Sequence, residues 1–204
     1  MKSSPTLKLA PVGASFLKAG DAAIHFYYSA GEQARFVPQL QEALERGLGV
    51  VLATAGDRHP LTAAGVLRPP RFPRQNNFLR LQVTANLRAT VGSIVQAVSA
   101  LAQRLPEVRL LADFDGLVTS DAIFDVEADL SRQTRGLRLV AIHQYDGNAF
   151  PATVTLEQFR THALTVIGNV FYSENRDFTS PEQYARERTR AAERVVARAA
   201  GKSA

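Results

Sequence analysis

The 204-residue chain contains no cysteine. That excludes disulfides, thiolate catalysis and cysteine-based zinc sites, and it fits a reducing compartment, so a cytoplasmic location is expected. No run approaches the roughly 20 consecutive apolar residues a membrane span needs. Residues Met1 to Gly20 scatter Lys2, Lys8 and Lys18 among short apolar runs and lack the compact apolar region of a secretory leader. Neither a leader nor a membrane partner is expected. Lysine is missing between Lys18 and Lys202, and acidic residues are missing between Asp57 and Glu107. The acid-free stretch holds Arg58, Arg68, Arg71, Arg74, Arg80, Arg88 and Arg104, so it carries +7 in a chain of net +5 and leaves the remainder at −2. Such a block suits an acidic partner, a phosphate ligand or nucleic acid, although a solvated basic face is its commoner use. No Gly-x-Ser-x-Gly nucleophile elbow, internal repeat or low-complexity segment occurs.

What is present alternates between strand and helix patterns. Ala22 to Tyr28 reads as a first strand, followed by a capping box at Ser29 to Glu32 and a helix carrying Phe36, Val37, Leu40, Ala43 and Leu44, ended by Gly47. Pro38 inside that pattern predicts a kink or a later true start. Leu48 to Ala55 is a buried-type strand, and Gly56 to Asn77 is loop-like with a short helix near Leu61 to Ala64. Phe78 to Val83 is a strand, and the spacing of Val91, Ile94, Val98, Leu101 and Leu105 predicts a helix. A strand at Val108 to Ala112, a helix at Asp121 to Gln133 entered through Ser120, and a strand at Gly136 to His143 follow. A second capping box, Thr155 to Gln158, opens a helix toward His162, and Leu164 to Tyr172 reads as a hairpin about Gly168-Asn169. Ser180-Pro181-Glu182-Gln183 starts a last helix that runs to about Ala200.

This alternation implies a three-layer α/β fold, a mainly parallel sheet with helices on both faces, in which ligands sit beyond the C-terminal strand ends. The expected division is an N-terminal extension (1–20), an α/β domain (21–178) and a C-terminal basic helix (179–204). In that helix Arg186, Arg188, Arg190, Arg194, Arg198 and Lys202 face Glu182, Glu187 and Glu193 across a thin stripe of Tyr184, Ala191, Val195 and Ala199. The stripe suits docking on the domain or on another protein.

A phosphate loop would follow the first strand. It needs glycines for close backbone approach, a lysine for the phosphates and a hydroxyl for magnesium. The chain offers Tyr28-Ser29-Ala30-Gly31-Glu32-Gln33 instead. Glu32 stands in the lysine position and repels phosphate, and Gln33 replaces the hydroxyl residue. Gly201-Lys202-Ser203 has no preceding strand and is coincidental. Phosphate-loop catalysis and a bound cofactor are therefore not expected.

Several segments resemble a known family. His25-Phe26-Tyr27-Tyr28, Glu32-Gln33-Ala34 and Glu45-Arg46-Gly47 resemble the opening of the MEDS domain, the methanogen/methylotroph sensory domain of a dichloromethane-dehalogenase regulator. Asp125-Val126-Glu127-Ala128 resembles its Tyr-Glu-Ala helix, His143-Gln144-Tyr145-Asp146 its Cys-Gln-Tyr-Asp strand end, and Phe159-Arg160-Thr161-His162 its Leu-Arg-Thr-His helix. Val170 to Asn175 resembles its closing Tyr-x-x-Asn segment. The chain departs from the pattern at His143 (a Cys there), Ala163 (a Pro) and Asp113 to Gly116 (a Glu and a Trp), and Arg68 to Arg88 matches poorly. The resemblance implies a degenerate RecA/KaiC-like, P-loop NTPase-like fold without a functional Walker A motif. It also implies a sensor of small organic compounds coupled to transcriptional control or to histidine kinases.

Candidate ligand-binding residues are His25, Tyr27, His143, Tyr145, Asp146, Arg160, His162, Tyr172 and Asn175, some of them lining one pocket. The competing reading makes each a core side chain with its polar tip bonded to backbone. His25, His143, His162 and Asp146 are metal-ligating types but lack compact spacing, so no metal site is expected. Asp113 and Asp115 imitate a magnesium-binding strand-end pair, and without a phosphate lysine they read as solvated acids. The expected function is a non-catalytic sensory domain acting through a small organic ligand or a regulatory partner (a kinase or transcription regulator). A residual nucleotide-binding domain with weak or no ATPase activity is the alternative. Nucleic acid is disfavoured because no interleaved aromatics accompany the arginines, and a homo-oligomer is left open.

Overall fold

The computed structural model describes residues 17–55, 76–114, 116–168, 170–172 and 178–201, the last five and Tyr172 as backbone alone. Strand β1 is Ala22–Tyr27. Helix α1, Ala30–Gln33, passes through a 3-10 turn, Ala34–Phe36, into α2, Val37–Glu45. Pro38 accordingly sits in the first turn of α2, where its missing N–H leaves no intrahelical bond unmade. Gly47 closes α2 at φ 72°, a left-handed conformation that spares glycine the usual Cβ clash. Then come β2 (Gly49–Ala55), β3 (Phe78–Val83), α3 (Leu87–Ala102) and β4 (Val108–Asp113). The chain continues through α4 (Ala122–Thr134), β5 (Leu139–Asp146) and α5 (Ala152–Thr161) to β6 (Leu164–Ile167), β7 (Val170–Tyr172) and α6 (Pro181–Gly201).

Several boundaries differ from the sequence expectation for local reasons. Helix α3 starts four residues before Val91 because the Asn86 side chain caps it, accepting from the Ala89 N–H at 3.1 Å. The hydroxyl of Thr119, not Ser120, receives the Ala122 N–H at the start of α4 (3.3 Å). Helix α5 opens directly after Pro151, so Thr155 lies buried inside it and the box at Thr155 to Gln158 is not its start. Strand β5 is shifted three residues later at both ends, to Asp146. The expected short helix at Leu61 to Ala64 falls outside the described residues.

The seven strands form one sheet in the order β3-β2-β4-β5-β1-β6-β7. All neighbours are parallel except β6 and β7, which form the expected hairpin. Two cores lie on opposite faces. One packs Phe36, Leu40 and Leu44 of the α1–α2 segment against Leu52, Leu111 and Ile142. The other packs Ile94, Val98, Phe124 and Leu130 of α3 and α4 against Phe26 and Leu110. Each fully buried large apolar side chain contributes roughly 1.5–3 kcal/mol. The three-layer arrangement read from the alternation is the one observed.

Before β1, Leu17 is buried and its carbonyl accepts from the buried Arg109 guanidinium. At the other end, α6 lies on α4. The Tyr184 ring meets Phe124 at 5.1 Å, Arg188 sits 4.2 Å over the same ring, and Glu182 accepts from Ser131 (3.0 Å) and pairs with Arg135. No described helix is long and apolar enough to cross a membrane.

Candidate functional site

The turn after β1 occupies the phosphate-loop position. Ser29 caps α1, accepting from the Glu32 N–H at 3.3 Å, and the Glu32 carboxylate reaches back to the Tyr28 N–H at 2.8 Å. Gly31 is exposed with open space where a Cβ would stand, so no close approach demands a glycine there. Glu32 also packs against Gly168 in the β6–β7 turn, where an added Cβ would lie 3.2 Å from its Oε1. The carboxylate thus folds over the turn's own amide.

Beneath it lies a buried polar chain. The Gln33 amide donates to Asp113 Oδ2 at 2.9 Å and to the Tyr27 hydroxyl at 3.1 Å, and that hydroxyl donates to Asp113 Oδ1 at 3.2 Å. Gln144 donates to the Gln33 carbonyl (3.0 Å) and to His25 Nδ1 (2.8 Å). Asp113 is fully buried, not the solvated strand-end acid expected, because Tyr27 and Gln33 give its oxygens donors that replace water. Asp115 falls outside the described residues. Burial pushes His25 down to about 3, opposed by the Gly168 backbone and helped, to a lesser degree, by the Arg35 charge. His25 Nε2 has no partner in good hydrogen-bond geometry among the described residues. His25 is therefore a neutral imidazole accepting at Nδ1.

A second polar cluster lies across the sheet, in the core under α4 and α5. Successive strand side chains point to opposite faces, so His143 and Tyr145 of β5 face away from Gln144 and His25. Glu127 of α4 is the hub. Its Oε2 accepts from His143 Nδ1 at 2.6 Å and from His162 Nε2 at 3.1 Å, while its Oε1 accepts from the Tyr145 hydroxyl. Glu127, His143, Tyr145 and His162 are all at most 3% exposed. Complete burial works to raise the Glu127 carboxyl, but the charges and hydrogen bonds of His143 and then His162 outweigh it and hold the group below the ordinary carboxylate range. Burial first, then the Glu127 charge and hydrogen bond, push the Tyr145 phenol well above its usual value. His162, the C-cap of α5, has the Thr161 hydroxyl 3.1 Å and the Gln158 carbonyl 3.3 Å from its Nδ1. His143 Nε2 and Gln158 Nε2 have no partner among the described residues.

The expected single pocket therefore resolves into two clusters on opposite faces. His143, Tyr145 and His162 meet. His25 and Tyr27 belong to the Gln33–Asp113 chain. Asp146 caps the 3-10 turn after β5, accepting from the Asn148 N–H at 2.9 Å, and Arg160 is exposed on α5. Tyr172 ends β7 with its backbone opposite Thr165, and Asn175 falls outside the described residues. Of the basic block, Arg80, Arg88 and Arg104 are described, and all three are exposed. Sequence reasoning missed Glu127 and Gln144. Glu127 could have been found, since it lies between Ile123 and Leu130 on the apolar stripe of α4, where a charge survives only with partners.

No protein-family model and no curated protein matches the chain. Solved structures do. The flagellar accessory protein FlaH from Methanocaldococcus jannaschii is similar over 83% of this chain and 85% of its own, with 11% identity and a TM-score of 0.51. A solved ATPase domain is similar over 72% of this chain and 68% of its own, with 14% identity and a TM-score of 0.48. The sheet order, the helices on both faces and the likeness to FlaH give the chain a RecA-like, P-loop NTPase-like α/β fold.

Proposed function

We propose that this chain is a non-catalytic sensory or signalling domain on a RecA-like frame, one that senses a small organic ligand or a protein partner and relays it to transcriptional or histidine-kinase signalling. The observation that carries this reading is the filling of the phosphate-loop position by the chain's own groups. A carboxylate, Glu32, covers the turn where a lysine would meet phosphate, and the Gln33 amide holds the Asp113 oxygen that a magnesium ion would need. The resemblance to the MEDS domain supports the sensory part. Three segments that carry it each send one side chain, Glu127, His143 and His162, to the same buried point.

The test is a thermal-shift screen of the full chain against magnesium nucleotides, one-carbon compounds and small hydrocarbons, alongside an ATPase assay. A ligand that binds the folded chain alone adds about 2.7 kcal/mol at a hundredfold excess over Kd. The expected result is a shift by an organic compound or by a co-purifying regulator, with no ATP turnover. Magnesium-dependent turnover that disappears in Asp113→Ala would overturn it. That outcome belongs to the second reading, a residual nucleotide-binding domain, which is favoured by the fold and by Asp113 standing at the end of β4.

A further inference from the structure

We propose that Glu127, His143 and His162 form a binding site for one divalent transition-metal ion of the zinc or iron(II) class, ligated by Oε2, Nδ1 and Nε2 respectively. The inference does not rest on the sensory reading.

Three features point to a cation. Two imidazoles and one carboxylate are a donor set suited to zinc or ferrous iron, and three protein ligands leave a position open for a further one. The three ligand atoms all lie within 4.8 Å of one another, and both ring nitrogens aim at the same carboxylate oxygen instead of sharing the two. The other oxygen, Oε1, is held by the Tyr145 hydroxyl, which fixes the carboxylate's orientation as outer groups do around metal sites.

The geometry of His162 adds a fourth feature. A histidine that ligates through one nitrogen commonly donates its other N–H to a backbone carbonyl. His162 Nδ1 has the Gln158 carbonyl at 3.3 Å for that purpose, while the Thr161 hydroxyl, 3.1 Å away, donates to Gln158 O at 3.0 Å and Oε1 at 2.9 Å. Without metal, Nε2–H donates to Glu127 Oε2 at 3.1 Å. With metal, Nε2 is a bare ligand and Nδ1–H turns to Gln158.

In the metal-free geometry, protons on His143 Nδ1 and His162 Nε2 stand where the ion would. Tetrahedral zinc, with bonds of about 2.0–2.1 Å, separates its ligand atoms by about 3.3 Å. The His162 to Glu127 separation of 3.1 Å already approaches that distance, and the His143 to Glu127 contact of 2.6 Å has to open by about 0.7 Å.

The competing account is a purely proton-held network, and the test separates the two. The full chain is stripped with a chelator, titrated with zinc sulfate, and passed through a desalting column for metal analysis. Histidine ring nitrogens are followed by long-range 15N NMR. The expected result is one zinc per chain, with His162 switching to the Nδ1–H tautomer and His143 Nδ1 losing its proton. Glu127→Gln and His162→Gln should then weaken binding by at least about tenfold to a hundredfold, judged from what even outer-sphere changes cost. No zinc retained, or zinc retained with the His143 and His162 rings unmoved, overturns the proposal. The ring spectra of the unaltered chain decide the matter even if both variants fail to fold.

Discussion

Glu127 shows how a single residue can organise a core. An ionised carboxylate buried alone would cost several kcal/mol, and removing the partners of such a group costs about 3–5 kcal/mol. Three donors, from His143, His162 and Tyr145, offset that cost here. His25 solves the same problem by staying neutral. Its folded pKa is depressed from 6.5 to about 3, so below pH 6.5 the unfolded chain takes up a proton that the folded chain refuses. Stability from this residue is therefore complete above pH 6.5 and is lost as pH falls toward 3, at about 1.4 kcal/mol per pH unit. Urea unfolding at pH 7 and pH 5 should show a loss of about 2 kcal/mol from this source. His25→Phe, which keeps a ring beside Phe36, should remove that share of the slope. An unchanged slope in the variant would assign the acid sensitivity to other groups.

Among the elements, the seat of α3 on the sheet depends on a missing side chain. Gly49 opens β2 opposite Val108, and a Cβ there would stand 3.2 Å from Leu105 and Val108 and 3.3 Å from Leu101. Those three side chains are the last turn of α3, its exit and the start of β4, and two of them are fully buried. Gly49→Ala should cost roughly 1–3 kcal/mol by overpacking, read as a fall in the urea midpoint with an unchanged slope. Gly31→Ala is the control, since nothing lies within 4 Å of its added Cβ. The helices of this fold were legible from period and punctuation. Their exact ends were not, because caps such as Asn86 and Thr119 depend on the loop's backbone direction, which the spacing of apolar residues does not carry.

At the scale of the whole molecule, α6 is joined to the rest through its first half. Tyr184 and Arg188 cover Phe124, and Glu182 bonds Ser131 and Arg135, whereas Val195 and Val196 are 67% and 68% exposed. Among the described residues, neither core contains a residue of α6 apart from Tyr184 at its margin. Deleting residues 179–204 should therefore leave a cooperatively folding sheet whose stability drops by about 1.5–3 kcal/mol, the value of one uncovered aromatic. Thermal melts followed by circular dichroism check this, and a chain without a melting transition would show that α6 is integral to folding.

The order of strands and helices, the parallel sheet and the lost phosphate lysine were settled by the sequence alone, because each rests on local periodicity or on one residue's charge. Which polar residues share a site was decided by tertiary structure. His25 and His143 stand one register step apart on neighbouring strands, yet alternation sends them to opposite faces of the sheet. Glu127, His143 and His162 come from two helices and a strand, and only the crossovers that lay those helices on one face bring the three together.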